Sequence, residues 1–254
     1  MSHASRAVRA PLTALLVLTL PPALSAQEDS RPPTVDSGQG AWRIEVTPFV
    51  GAYVPLAELL EFSDTGLILG VPARVTLEGK QTNSFAIGGR VTGWFDRRFG
   101  VEGTFTYAFS DLDVTQTIEI PTQPDRVRSA TLGAYVWTAA VRAVYRLARI
   151  DRSAVILAGL GPAIIDRGGD AFSAPALGLT SAGAVDGTTD VGGVFDLGAR
   201  IDAGSRVAIR LDAEVYMYTA SLSLANPLFA GGDPPSSSKY QTDLVLSAGV
   251  AVGL

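Results

Sequence analysis

Two carboxylates stand two residues apart in the C-terminal part of the sequence, and an arginine precedes them at the same spacing. Alternate residues of a β-strand share a face, so Arg210, Asp212 and Glu214 would point to one side. Paired carboxylates can serve as a general acid and a general base. They can also form ion pairs with arginine, whose planar guanidinium binds carboxylates through parallel hydrogen bonds. We favour ion pairing, because further arginines occur at matching positions elsewhere.

Other catalytic and metal-binding arrangements are weakly represented. The only histidine is His3, in a segment expected to be removed, so a Ser–His or Asp–His arrangement is excluded. The Gly-Gly-Asp segments 168–170 and 231–233 suggest calcium loops, but neither continues into a series of oxygen ligands. Segment 159–161 precedes a proline and no helix, unlike a nucleotide-binding loop. We therefore expect no enzyme activity, no metal and no cofactor.

The charged residues belong to segments in which polar and apolar positions alternate. This alternation is typical of strands with one apolar face and one polar face. Eight such segments occur: 42–54, 84–95, 100–110, 132–147, 154–165, 191–201, 206–218 and 244–254. The segment 154–165 is apolar on both faces, which leaves its register open. The polar faces carry charges of both signs, at Arg90, Glu102, Arg142, Arg146, Asp196, Arg200, Arg210, Asp212, Glu214 and Asp243.

Short and long connections alternate along the chain. The short ones are 96–99, 148–153 and 202–205, and the long ones are 55–83, 111–131, 166–190 and 219–239. Short turns on one rim and long loops on the other are typical of transmembrane barrels. Aromatic residues near the ends of the segments predict a belt at each rim. Trp42, Phe95, Phe99 and Tyr145 would form one belt, and Tyr53, Tyr107, Phe109, Tyr135 and Trp137 the other.

These patterns predict an all-β fold, a closed eight-stranded antiparallel up-and-down transmembrane β-barrel. Closure is required because unpaired backbone groups at a sheet edge cannot be satisfied in lipid. Eight strands enclose a space that side chains fill. Single charges there would be costly, so we expect the inward charges to form a plug of ion pairs.

The remaining composition fits an exported protein. Residues 1–26 combine two arginines, a short apolar run and a small-residue cleavage site after Ser25 or Ala26, which predicts a signal peptide. Residues 27–41 predict a flexible leader, and 42–254 the barrel domain. Cysteine is absent, so no disulfide supports the fold. Removal of 1–26 leaves 18 basic and 25 acidic residues, which does not suit a nucleic-acid-binding protein.

Segment 47–53 (TPFVGAY), the run 210–216 and the C-terminal strand resemble one known family. Residues 42–254 resemble the small eight-stranded outer-membrane barrels, similar to the OmpA transmembrane domain and the OmpW and opacity-type proteins. The resemblance implies a bacterial outer-membrane location, lipid and the outer-membrane assembly machinery as partners, and a monomer. It also implies a C-terminal assembly signal at Ser247, Gly249, Val252 and Leu254, although the family usually ends in an aromatic residue.

Two functions stay open at this point. One is a structural or surface-interaction role through four long extracellular loops, with a plugged interior. The other is a narrow channel for small or hydrophobic solutes, as proposed for OmpW-like proteins. The first long loop is unusually apolar and could cover an opening, extend the strands or form a cap, through Leu56, Leu59, Leu60, Leu67, Ile68 and Leu69. We favour the structural or interaction role.

Overall fold

The computed structural model describes residues 44–254 except 122, 152, 174–184, 187–188 and 225–235. The elements are β1 (Ile44–Pro55), β2 (Leu60–Ile68), β3 (Val71–Gln81), β4 (Ser84–Trp94), β5 (Phe99–Glu119), β6 (Arg126–Arg149), β7 (Ala154–Gly168), α1 (Asp170–Ser173), β8 (Val185–Asp186), β9 (Thr189–Asp202), β10 (Val207–Leu224) and β11 (Ser236–Gly253). The expected signal peptide and leader lie outside the described residues. Within them, no helix has the length and apolar character needed to cross a membrane.

Eight strands form a closed antiparallel ring. Its order is β1, β4, β5, β6, β7, β9, β10 and β11, and β11 pairs back with β1. The register at the closure places Glu45 opposite Gly253 and Val54 opposite Leu244. The predicted fold class is therefore confirmed. Residues 95–98, 150–151, 153 and 203–206 lie in turns at one end of the ring, which we call the short-turn rim; the opposite end is the long-loop end.

The two faces of the wall separate apolar from polar side chains. The apolar positions point outward, as Val50, Phe85 and Val141 show with 53%, 55% and 57% exposure. Their polar neighbours point inward and are buried, because alternate side chains of a strand leave opposite faces. The sequence left the register of β7 undecided, and the structure shows that this strand follows the same rule: Leu157 is buried inside and Leu160 is exposed outside.

The strands extend well beyond the predicted segments at the long-loop end. β5 and β6 have 21 and 24 residues, so the predicted loop 111–131 is mostly strand, with a connection of only 120–125. β10 and β11 likewise continue into the predicted loop 219–239. These loop boundaries were wrong because the outward positions become polar here, so the apolar alternation used for prediction ends while the pairing continues.

The first predicted long loop, 55–83, is a β-hairpin. β2 and β3 pair with each other, and β3 continues the sheet by pairing with the upper half of β5. Leu69 and Gly70 form the two-residue turn with φ of 52° and 80°, the left-handed geometry that suits a tight hairpin. Leu59 and Leu60 are buried, whereas Leu56 and Leu67 are exposed. The apolar residues of this segment thus divide between a cap and an exposed tip.

Aromatic rings gather on the outer wall of β5 and β6. Phe105 stacks on Trp137, and Tyr107 stacks on Tyr135, with ring centroids 6.1 Å and 5.5 Å apart. The prediction for Tyr53 was wrong: this side chain is buried inside the barrel, since it shares the inward face of β1 with Glu45. Trp42 lies outside the described residues.

Candidate functional site: the charged barrel interior

Seven charged side chains meet halfway along the barrel interior. Every one of these side chains has 0% exposure, so no opening the size of a water molecule reaches them. They come from β4, β5, β6, β9 and β10. We call them the central charge cluster, which consists of Arg90, Glu102, Arg142, Asp196, Arg210, Asp212 and Glu214.

Glu102 accepts hydrogen bonds from two arginines and a threonine. Arg142 lies opposite Glu102 across the β5–β6 pair and donates from Nε to Oε1 at 2.8 Å. Arg210 reaches across the interior and donates from Nη1 to Oε2 and from Nη2 to Oε1. Thr92, opposite Glu102 on β4, donates from Oγ1 to Oε2 at 2.5 Å. Glu102 therefore links the β4–β6 wall to β10.

Glu214 also accepts hydrogen bonds from two arginines, and from a tyrosine. Arg90 donates to its Oε1 from Nε and Nη2, at 3.0 Å and 2.6 Å, and Arg142 donates from Nη2 at 2.9 Å. The Tyr216 hydroxyl donates to Oε2 at 2.7 Å. Asp212 receives Nε of Arg210 at 2.9 Å and lies 3.0 Å from Nη1 of Arg90. Asp212 and Glu214 thus both face guanidinium groups.

Asp196 is the weakly bound member of the cluster. Its Oδ2 lies 3.8 Å from Nη2 of Arg142 and 3.7 Å from Nη2 of Arg210. Neither of its carboxylate oxygens has a hydrogen-bond partner among the described residues. The cluster also contains four carboxylates for three guanidinium groups. Asp196 is the carboxylate that this imbalance leaves least stabilised.

A second polar group lies above the cluster, toward the long-loop end. Tyr53 and Tyr218 both donate to Oδ2 of Asp243, at 2.7 Å and 2.5 Å. Arg167 donates to Asp190 at 2.9 Å, and its guanidinium lies 4.9 Å from the Tyr218 ring centroid. The sequence predicted only Asp243 among these five to face inward. Alternation within the predicted segments assigns Tyr53 and Tyr218 to the inward face, and extending two segments past their predicted ends adds Arg167 and Asp190.

Two predicted inward arginines lie nearer the short-turn rim. Arg200 pairs with Glu45 at 3.2 Å and with Asp202. For Arg146 no ion pair occurs among the described residues: its guanidinium lies 3.9 Å above the Trp94 ring, and its Nη1 donates to the Arg97 carbonyl. Its side chain reaches the end of the barrel, where an aromatic face and a turn carbonyl replace a carboxylate.

Apolar side chains also pack at both ends of the barrel interior. Trp94, Val144, Val155 and Leu157 pack together toward the short-turn rim. A larger apolar cap fills the long-loop end. It includes Leu59, Leu60, Phe62, Leu77, Leu112, Val114, Val136, Ile165, Ala220 and Leu222. The polar interior therefore lies between an apolar cap at the long-loop end and a mixed layer at the short-turn rim, where the Trp94 group packs beside the Arg200–Glu45 pair.

The other predicted sites have simple surroundings. Ser247 faces inward and receives Nη2 of Arg90 at 2.6 Å, and Gly249 faces inward against β1, where a Cβ atom would meet the Pro48 carbonyl. Val252 and Leu254 point outward. Among the described residues, no group of acidic or histidine side chains could hold a metal ion. The segment 231–233 lies outside the described residues.

Comparison with known proteins identifies the fold. No family model and no curated protein matches this sequence. The structure is similar to the outer membrane protein OprG from Pseudomonas aeruginosa, with a TM-score of 0.59 and 13% identity over 86% of this chain and 99% of OprG. It is also similar to the outer membrane protein AlkL, with a TM-score of 0.52 and 14% identity over 90% of this chain and 97% of AlkL. This chain has the fold of the small outer-membrane β-barrels.

Proposed function

We propose that this protein is an integral outer-membrane protein whose interior is closed and whose role is structural or interactive at the cell surface. The outward apolar side chains would contact lipid acyl chains, and the short-turn rim would face the periplasm. The fold shared with OprG and AlkL supports this location. The observation that carries the closed interior is the complete burial of the central charge cluster.

The extended strands supply the surface for interaction. A strand crosses the membrane with about 9 to 11 residues, whereas β5 and β6 have 21 and 24. Their upper halves and the β2–β3 hairpin therefore stand clear of the membrane. At the tip of this extension, Leu67, Pro72, Arg74, Glu119 and Ile120 line a cleft of about 810 Å³. Its lining combines apolar and charged side chains, the mixture found in surfaces that contact other proteins.

Conductance measurements test the closed interior against the narrow-channel alternative. The refolded protein in planar bilayers should give no current steps above the lipid baseline, because the apolar cap and the buried charge cluster block the path. A change in gel mobility on boiling would verify that the same sample is folded. Reproducible current steps from such a sample would overturn the closed interior.

The orientation has its own test, which uses the absence of cysteine in this chain. Leu69 is fully exposed at the hairpin tip, and Gly204 lies in a short turn where a Cβ atom meets open space. On intact cells, a membrane-impermeant maleimide should label the Leu69→Cys variant and leave the Gly204→Cys variant unlabelled. Both should react after lysis. Labelling of Gly204→Cys alone would reverse the proposed orientation.

A further inference from the structure

The two ends of the barrel carry opposite charge. Among the described residues, the exposed charges at the short-turn rim are four arginines, Arg97, Arg98, Arg149 and Arg206, and two aspartates, Asp96 and Asp151. At the long-loop end the ratio is inverted. There, eight exposed carboxylates, Glu58, Glu61, Glu78, Asp111, Asp113, Glu119, Asp125 and Asp170, face four exposed basic residues, Arg74, Lys80, Arg126 and Arg128.

Both rim aspartates are engaged by their own turns. Oδ1 of Asp96 accepts the backbone N–H groups of Arg98 and Phe99, each at 2.6 Å. Oδ1 of Asp151 accepts the backbone N–H groups of Ser153 and Ala154. These carboxylates shape the turns, and neither forms an ion pair with Arg97, Arg98 or Arg206 among the described residues. Apart from a 3.5 Å contact of Arg98 with the Tyr145 hydroxyl, no side-chain partner of these three guanidinium groups occurs among the described residues, so their remaining N–H groups can bind an external anion.

The arginines lie directly beyond the outer apolar wall. Phe95 and Phe99 stack at the same rim with ring centroids 6.0 Å apart, and Phe95 is 74% exposed. Nη1 of Arg98 lies 3.5 Å from the hydroxyl of Tyr145, whose ring belongs to the outer wall. Aromatic rings of this kind mark the level of lipid headgroups. Guanidinium groups at that level meet phosphates, which they bind through paired hydrogen bonds.

We propose that the short-turn rim is a binding surface for the headgroups of anionic phospholipids, with Arg97, Arg98 and Arg206 as its phosphate-binding residues. The proposal rests on the membrane location given above. Charge complementarity selects the occupant, because exposed arginines in two of the turns stand at the rim of the apolar outer wall, where anionic headgroups would lie. The acidic long-loop end would be repelled by the same lipids, so the two ends prefer different leaflet surfaces.

Lipid-dependent stability tests this surface. The full mature protein is refolded into phosphatidylcholine vesicles with and without phosphatidylglycerol, and the unfolding equilibrium is measured by the heat-dependent gel shift and by urea titration. Phosphatidylglycerol should stabilise the protein, with about a five-fold change in the unfolding equilibrium constant per arginine. Added salt should reduce the effect. Inorganic phosphate added to pure phosphatidylcholine vesicles should not reproduce it.

Matched variants locate the effect. The triple variant Arg97→Gln, Arg98→Gln, Arg206→Gln should fold in phosphatidylcholine and lose the phosphatidylglycerol effect. The control triple variant Arg74→Gln, Arg126→Gln, Arg128→Gln, at the opposite end, should keep it. Retention by the rim variant, equal loss in the control, or an equal effect of inorganic phosphate would overturn the proposal. Failure of the unaltered protein to fold in any lipid would instead overturn the membrane location.

Discussion

The central charge cluster shows how each inward charge depends on its partners. Burying a charge in a low-dielectric interior is costly unless opposite charges and hydrogen bonds offset the cost. Glu102 and Glu214 satisfy this condition through three donors each, Arg142, Arg210 and Thr92 for Glu102, and Arg90, Arg142 and Tyr216 for Glu214. Asp196 has two distant arginines and no hydrogen bond. Removal of different members of the cluster should therefore have different effects on the free energy of unfolding.

Arg142 is the member whose loss should be most damaging. It contacts Glu102 and Glu214 and lies within 3.8 Å of Asp196. The Arg142→Met variant would leave the four buried carboxylates with two guanidinium groups, so we expect a loss of about 3–5 kcal/mol in the free energy of unfolding. Urea titration in detergent, followed by the gel shift, measures it. An unchanged midpoint would mean that the ion pairs of Arg142 add no stability.

Asp196 should behave in the opposite way. The Asp196→Asn variant keeps the shape of the side chain and equalises the numbers of carboxylates and guanidinium groups. Its stability in the same urea titration should equal or exceed that of the unaltered protein, because the removed charge had no hydrogen bond. A loss as large as that of Arg142→Met would contradict this account of the imbalance.

Much of this cluster can be predicted from the sequence, since the residue types give the charges and the alternation along each strand gives the face of each side chain. Which charges meet is not visible, because Arg90 and Glu214 are 124 residues apart and their contact depends on the stagger of the ring. Arg146 illustrates the limit. Its face is correctly assigned, but its position at the barrel end gives it Trp94 as a neighbour.

At the scale of elements, the hairpin of β2 and β3 has two different faces. Leu77 has 0% exposure within the apolar cap, whereas Leu67 is 67% exposed at the tip. The segment 55–83, which was predicted to be a loop, is rich in apolar residues because part of it packs into the apolar cap. The sequence did not reveal whether its leucines would cover an opening or form a cap. Pairing of β3 with β5 decides the matter, since it fixes which side chains turn inward.

The hairpin's contribution to stability can be measured at these two leucines. The Leu77→Ala variant should lose about 2–5 kcal/mol, the usual cost of a buried cavity. The Leu67→Ala variant should stay within about 0.5 kcal/mol of the unaltered protein, as an exposed position. Denaturant unfolding in the same detergent compares them. Equal effects would show that the hairpin does not pack as described.

The short turn 95–98 should make stability depend on pH. The backbone N–H groups of Arg98 and Phe99 hold the pKa of Asp96 below its ordinary value of 3.8. Because the pKa of Asp96 is lowered in the folded state, its ionised carboxylate stabilises the protein at pH values above the ordinary pKa. This contribution is lost as the pH falls through the folded-state pKa. The Asp96→Ala variant should therefore unfold at a lower temperature at pH 7, and the difference should shrink in acid.

A comparison variant separates this turn from acid effects in general. Asp111 is an exposed aspartate at the other end of the barrel, where the pairing of β5 and β6 fixes the backbone. The Asp111→Ala variant should show the same midpoint as the unaltered protein at both pH values. If the effect of Asp96→Ala were constant with pH, hydrogen bonding to the ionised carboxylate would not be its cause.

At the scale of the whole molecule, a membrane barrel differs from a soluble one in the side to which the apolar side chains of its wall point. Trp137 lies on the outer face against Phe105, and Trp94 lies inside with 6% exposure. In bilayers whose acyl chains carry bromine, a variant that keeps only Trp137 should lose fluorescence. A variant that keeps only Trp94 should lose far less. Equal quenching of the two would contradict the assignment of faces.

The placement of charges inside the ring also determines how the ring can close. A slip of two residues between neighbouring strands leaves every apolar side chain facing lipid, so the bilayer cannot distinguish the correct stagger from a wrong one. The same slip displaces a side chain by roughly 7 Å, far enough to separate Glu102 from Arg142, which face each other across β5 and β6. Several strand staggers would give the same apolar outer face. The complementary charges from five strands favour one of these staggers, and with it one barrel circumference.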